Sequence, residues 1–327
     1  MKNYILLVIA IVLDLVIGDP VTPIHPVRLI GNLIKKTEKL LYNRNLSKRL
    51  AGLLGVSISL GIVMIIFLLM YNLTSFIPYG KEIFSIFIFY STIALKDLAA
   101  HGLRVKSSLD GNDIMLARKN IGMILSRDVD NLKQEKIITG TVESISENSS
   151  DSIIAPVFWG LILGPAGALT YRVINTMDAM WGYKNKRFID FGRAAALLDD
   201  VVNFLPARIT GVLICLVSGL KGFCSEKDTG NQLTTTWRIM IRDHNKTASP
   251  NAGYPEAAMA GSLGIQLGGE ASYFGEIVKK QTIGDKIKNP EQDDISKSIN
   301  IIALSVILFM LIDTIIIILI SNYQLLK

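Results

Sequence analysis

A run of 27 residues without a single charge, Ala51 to Ile77, limits what this chain can fold into more than any other feature. At 1.5 Å of rise per residue a helix of that length reaches across the ~30 Å hydrocarbon core of a bilayer. Backbone N–H and C=O groups find no water there, and the helix is the form that keeps them all bonded within one segment. Ala51, Gly55 and Ser59 recur at every fourth position of the run, a small-residue stripe that admits a close neighbouring helix. Composition points the same way: half of the 327 residues are apolar and only 19% are charged, below the ~25% of soluble domains.

Further apolar runs extend the reading to an all-α, polytopic membrane protein. Spans are predicted at 4–17, 51–77, 83–98 and 299–320. The first resembles a signal peptide in length, but Asp14 interrupts it, no A-x-A site follows, and Gly18-Asp19-Pro20 reads as a helix stop, so it is predicted to be retained. Two further segments, 153–171 and 209–220, are predicted to be broken or re-entrant. The first holds Pro156, Gly160, Gly164, Pro165 and Gly167, and the second is only 12 residues long. Residues 1–327 are read as one integral membrane domain. Gly18 to Leu50 carries seven Lys or Arg against two acids, which places it in the cytoplasm by the positive-inside rule. The hairpin of the next two spans then returns Lys96 to Ser298 to the same side. The net charge of +6 is read as a record of orientation, with no aromatic-interleaved basic stripe to suggest nucleic acid. Cys215 and Cys224 fit neither a disulfide framework nor a metal spacing and are read as packing residues.

Four polar stretches are richer in potential ligands than connecting loops require. They are Asp19 to Arg28, with His25 between Pro23 and Pro26; Ser146 to Asp151; Arg172 to Arg208, with Asn175, Asp178, Asp199, Asp200 and Asn203; and Arg242 to Glu256. Glu147 and Asp151 are four apart, while Arg172, Asn175 and Asp178 are three apart, so on regular helices each set would share a face. Carboxylates and amides beside arginines suit Mg²⁺ bound together with phosphate oxygens; they equally suit a solvated ion network. No G-x-x-x-x-G-K-[ST], G-x-S-x-G or H-E-x-x-H occurs, and the chain has only three histidines, His25, His101 and His244.

Several strings carry a resemblance that reaches along nearly the whole chain. They include Gly18-Asp-Pro20, His25-Pro-Val-Arg-Leu-Ile-Gly31, Ser146-Glu-Asn148 with Asp151, and Tyr171-Arg-Val-Ile-Asn-Thr-Met-Asp178. Leu198-Asp-Asp200, Pro206-Ala-Arg208, Ser249-Pro-Asn-Ala-Gly253 and Pro255-Glu-Ala-Ala-Met-Ala-Gly261 follow in the same order. Together they resemble the adenosylcobinamide-phosphate synthases, a family of cobalamin-biosynthesis membrane proteins. Ser152 stands where that family often has glycine, and Tyr254 where it often has tryptophan. The resemblance implies ATP-coupled amide formation between adenosylcobyric acid and (R)-1-amino-2-propanol or its O-phosphate, with Mg²⁺ and the active site facing the cytoplasm. On that reaction His25, Arg28, Glu147 and Asp178 are assigned to catalysis. Asp19, Asn148, Arg172, Asn175, Arg208, Asn251 and Glu256 are assigned to substrate binding, and Asp151, Asp199 and Asp200 to the metal. Partners implied are the corrinoid and amine substrates, the lipid bilayer and other membrane-bound enzymes of the late pathway. A transporter and a non-catalytic membrane sensor are the readings from other classes.

Overall fold

The computed structural model describes residues 2–20, 22, 24–125, 127–183, 185–223, 229–273 and 276–325. In chain order its helices are α1 (Lys2–Ile17), α2 (Pro26–Tyr42), α3 (Lys48–Leu73), α4 (Gly80–Thr92), α5 (Leu95–Asp110), α6 (Ile114–Ile121), α7 (Gln134–Ser149) and α8 (Ala155–Trp181). Then come α9 (Arg193–Val202), α10 (Phe204–Phe223), α11 (Thr229–Asp243) and α12 (Gly253–Leu263), an antiparallel pair β1 (Leu267–Tyr273) and β2 (Glu276–Ile283), and α13 (Asp293–Leu325). The hairpin, which hydropathy did not signal, carries a bulge between Gly268 and Glu270.

Among the described residues four helical stretches are long and apolar enough to cross a membrane: Lys48–Phe76, Gly80–Asp110, Gln134–Trp181 and Asp293–Asn322. Arg193–Val202 with Phe204–Leu220 is a broken or re-entrant apolar pair. The multi-pass helical architecture is therefore as expected, but its membership differs. At 16 residues α1 reaches only ~24 Å, whereas 153–171 lies inside the longest stretch. The break expected there falls at Gly164, with φ 68° and ψ −160°, a region that essentially only glycine occupies. Pro165 follows and withholds its own donor. Before α8 a π-helical turn, Ser150–Ile154, interrupts the α spacing.

Chain contacts divide the molecule into two compact units, residues 1–96 with 151–204, and 97–150 with 205–327. In the first unit α2, α3, α8 and α9 close a core around Ile34, Ala51, Met177, Trp181 and Phe191. Close approach explains two glycines of α3: a Cβ on Gly52 would lie 1.8 Å from the Phe191 carbonyl oxygen, and one on Gly55 3.2 Å from the Trp181 ring. The small-residue stripe of Ala51, Gly55 and Ser59 is buried throughout. Ser47 caps α3, its hydroxyl accepting from the Leu50 N–H at 3.4 Å. In the second unit α7 packs beside α12 and α13, and Gly102 of α5 leaves room for Ile145 and Ile299. Cys215 is buried and free, as a packing residue would be; Cys224 and Pro23 lie outside the described residues.

Candidate functional site

The first unit gathers most of the predicted polar residues around the end of α1. Gly18, at φ 77°, stops that helix, and Pro26 begins α2 at its first position. The loop between them holds Asp19 and His25. The His25 ring is buried, with Nε2 3.0 Å from Asp19 Oδ1. A hydrogen on Nε2 makes that bond and leaves Nδ1 as the basic nitrogen. The loop is anchored from below. The Tyr90 hydroxyl donates to the Gly18 carbonyl, and Lys96 Nζ donates to the Val16 carbonyl at 2.6 Å. Asp14, at 0% exposure, accepts from the Leu95 and Lys96 N–H groups at 2.9 and 3.0 Å. That acid caps α5, which is why a charge sits inside the apolar run of α1.

The π-helical turn, α8 and α9 supply the other half of the cluster. Asn175 Nδ2 donates to Asp151 Oδ2 at 3.3 Å and to Asp199 Oδ1 at 3.4 Å, so one amide spans two carboxylates. Asn203 Nδ2 donates to Asp199 Oδ2 at 2.9 Å, and the buried Tyr171 hydroxyl donates to Asn203 Oδ1 at 2.9 Å. Asp200 acts on Asp199 through its charge. Arg172 Nη1 donates to Asn175 Oδ1 at 3.5 Å, and the guanidinium feels the charges of both Asp151 and Asp19. Its buried Nε has no hydrogen-bond partner among the described residues. Buried donors are almost always satisfied, so this guanidinium has bonding capacity to spare.

Not every predicted residue joins this cluster. Arg28 is exposed on the first turn of α2. Asp178 lies at the end of α8, where its carbonyl accepts from the Gly182 N–H at 2.6 Å. Its Oδ1 stands where a Cβ on residue 182 would go, 2.1 Å away, so glycine is required there. Glu147 and Asp151 do not continue one regular helix face, because the π-helical turn breaks the spacing that would align them; they also belong to different units.

The second unit has two polar clusters of its own. In one, Arg127 lies almost wholly buried with Nη1 3.3 Å from Glu143. Glu256 on α12 feels the charges of Glu147, Glu143, Lys280 and Arg127. Burial pushes the Glu256 carboxyl well above the usual carboxylate range, and the two acids push it further. In the other, Arg208 Nη1 donates to Asn251 Oδ1 at 3.0 Å while its guanidinium lies 4.3 Å above the Tyr254 ring. Tyr254 thus keeps an aromatic face where tryptophan is common in the resembling family. Gly253 is required because a Cβ would lie 1.9 Å from the His244 carbonyl oxygen. Asn148 spends its amide on its own helix, donating to the Ser144 carbonyl and hydroxyl. Beside these lies Asp243. Burial pushes its carboxyl up, but hydrogen bonds from Arg242, Lys246 and the Gly284 N–H outweigh that and hold it well below the usual range.

Sequence reasoning overlooked Asp14, Tyr171, Glu143 and Arg127 as parts of these networks. The signal for Asp14 was present, since a lone acid in an apolar helix needs a partner. Tyr171 stands inside one of the strings already quoted and Glu143 three residues before another, whereas Arg127 lies near none of them.

Among the described residues no group of three or more His, Cys, Asp or Glu is placed to hold a metal ion by itself. Mg²⁺ rarely asks for one: it takes one or two carboxylates and completes its shell with phosphate oxygens and water. Asp151 and Asp199, bridged by Asn175, fit that use.

Comparison with known proteins shows what the chain is similar to. The profile of the CobD/Cbib protein family matches residues 7–302. A protein of Desulfotalea psychrophila named "Cobalamin biosynthesis protein CobD" is 40% identical, covering 93% of this chain and 95% of its own. Proteins of the same name from Clostridium perfringens and Listeria monocytogenes are 40% and 36% identical, covering 91% and 89% of this chain and 93% and 91% of their own. No solved structure matches it.

Proposed function

The chain belongs to the CobD/Cbib protein family, and from that premise we propose that it joins adenosylcobyric acid to (R)-1-amino-2-propanol or its O-phosphate. The product is adenosylcobinamide or its phosphate, and ATP drives the step as a substrate. Joining an ionised carboxylate to an ammonium in water is uphill, and the carboxylate is also a poor electrophile; transfer of the γ-phosphoryl group of ATP to it would give an acyl phosphate and ADP, from which the amine, having lost its proton, would displace inorganic phosphate.

The observation that carries this reading is the first-unit cluster, in which a histidine–aspartate pair, an arginine with unspent donors and two amide-bridged carboxylates occur together. Asp151 and Asp199 would hold Mg²⁺ against the phosphates. Arg172 would meet the charge of the transferring group through donors already in place, which is how fixed dipoles and cations lower such barriers. Asp19 fixes the His25 tautomer, and Nδ1 would take the proton that the attacking ammonium must lose. In the second unit, Arg208 and Asn251 offer a fixed donor and amide pair for the side-chain amides of a corrinoid.

Protein in lipid nanodiscs, given Mg²⁺, ATP, adenosylcobyric acid and either amine, tests the proposal. Amide product should form only with ATP present. Asp151→Asn, Asp199→Asn and His25→Asn should each lower turnover at least a hundredfold while membrane insertion and unfolding temperature stay near those of the parent. Full product yield without ATP would end the ligase reading. Normal turnover in all three variants would move the site elsewhere. Substrate retention or transmembrane flux with no amide formed would favour the sensor or the transporter.

A further inference from the structure

The first unit contains an apolar groove of about 430 Å³ that the proposed chemistry does not use. Its walls come from the first turns of α2, the second half of α3 and the middle of α4, with Leu169 of α8 behind. On α3 the wall runs from Ile62 to Met70, eight residues or about 12 Å along the helix. Ile66, Met70, Phe87 and Leu29 are each more than two-fifths exposed. The helix bearing most of this wall is among the most apolar candidate spans, and only 22% of its apolar window is buried within the protein. Such a face is turned to hydrocarbon.

The two ends of the groove differ in chemistry. At one end Phe67 stacks with Tyr71 at a centroid separation of 5.6 Å, Phe84 lies tilted against Tyr71 at 6.4 Å, and Lys81 Nζ sits 5.2 Å from the Tyr71 ring centre. A tyrosine and a lysine at the tip of an apolar hairpin are the residues that settle at the headgroup level. Glu82 beside them is paired with Lys2 at 2.5 Å, so among the described residues Lys81 leaves that corner with a net positive charge. At the other end the lining residues are Ile24 and Pro26, the two neighbours of His25.

We propose that this groove is a phospholipid site, with the headgroup phosphate of an anionic lipid against Lys81 and one acyl chain lying along α3 to the His25 loop. The chain buries the exposed faces of Ile66, Met70 and Leu29 and packs beneath Ile24 and Pro26. The lipid therefore braces the backbone on both sides of the histidine that pairs with Asp19.

Native mass spectrometry of the full chain released from nanodiscs of mixed phosphatidylcholine and phosphatidylglycerol tests this. One phosphatidylglycerol per chain should survive delipidation, and Lys81→Gln should erase the preference for the anionic headgroup. Ile66→Trp with Met70→Trp, which fills the groove, should abolish retention; Leu29→Trp fills it from the opposite helix should the pair fail to insert. A phosphatidylglycerol with a photoreactive acyl tail, used on the unaltered protein, should label peptides containing Leu29 or Ile66 well above the exposed α13 face at Ile315 and Leu319. Uniform labelling, or retention unchanged by filling the groove, would reduce the feature to ordinary bilayer contact and overturn the site. A disulfide between copies carrying Ile66→Cys would also overturn it, by making the groove an interface between two chains.

Discussion

Replacing Gly52 by alanine should destabilise this protein, and replacing Gly61, nine residues along the same helix, should not. At Gly52 a Cβ would stand 1.8 Å from the Phe191 carbonyl oxygen, about 1.6 Å inside the closest ordinary contact. The obstacle is backbone and has no room to yield. Phe191 is fully buried, edge-on to Trp181 at 5.1 Å and against Tyr42 at 5.6 Å. Trp181 is itself fixed by an Nε1 bond to Glu38 at 3.3 Å. Forcing an extra carbon into such a core costs about 1–3 kcal/mol, occasionally more, and an alanine in mid-helix returns only ~0.5–1 kcal/mol. A clash this deep with backbone takes the upper end of that cost, so the net loss is about 2 kcal/mol, roughly a thirtyfold change in the folding equilibrium. At Gly61 nothing lies within 4 Å of the added carbon, so only the helix gain remains and stability should rise by ~0.5 kcal/mol. Gly55, with a contact of 3.2 Å to a ring edge, should fall between. Unfolding curves in mixed micelles for the three variants measure the series directly. Equal shifts for Gly52→Ala and Gly61→Ala would refute the claim that α3 meets the chain before α9 at backbone contact.

Tyr171→Phe should lower stability by about 1–2 kcal/mol, because Asn203 Oδ1 loses its buried donor, and it should lower turnover by loosening the partner of Asp199; thermal scans and the ligation assay on one sample separate the two effects. The pH dependence of unfolding should show two opposed limbs. Asp243, held low, contributes stability above the ordinary carboxylate range that is lost as pH falls below it, whereas Glu256, held high, contributes stability at low pH that is lost as pH rises through and above that range. Asp243→Asn should flatten the acid limb and Glu256→Gln the alkaline one, as denaturant titrations at stepped pH would reveal. In a variant lacking Cys215 and Cys224, single cysteines at Asn45 and Asn112 should resist impermeant thiol reagents in intact cells while one at Tyr79 reacts. Labelling at Lys186 would show that residues 153–171 complete a crossing.

Hydropathy alone was enough to locate α3 and α13, because a charge-free run of their length has few alternatives to a membrane helix. It was also enough to foresee the break in α8, since Gly164 followed by Pro165 cannot continue a regular ladder. It marked α1 as apolar, and the Gly18 stop leaves that helix, at 16 residues, shorter than the four candidate spans. The π-helical turn left no trace in composition, and with it went the expected alignment of Glu147 with Asp151. The hairpin of β1 and β2 was hidden because strands with paired glycines in one and the adjacent Lys279 and Lys280 in the other lack the alternation that marks a buried sheet face. For the candidate site, the strings around His25, Asn175 and Asp199 contain residues that fold into polar contacts within the first unit. What they could not supply was partnership: that one amide serves two acids, or that Tyr171 reaches Asp199 through Asn203, depends on how α8 and α9 lie together.

The alternation of the chain between its two units has a consequence for biogenesis. Residues 1–96 leave the ribosome without α8 and α9, the helices that complete their core. The 54 residues of the second unit that come next, 97–150, must then wait in turn for everything after residue 204. Each unit therefore has an obligatory interval in which a half-built, partly polar surface stands open during insertion. A stop after residue 204 leaves every segment of the first unit present together with 97–150, and a start at residue 97 leaves every segment of the second together with 151–204. Truncation from the C-terminus at residue 204 and from the N-terminus at residue 97 should accordingly be alike in kind: each leaves one complete unit carrying a segment of the other that has lost its partners, for quality control to find.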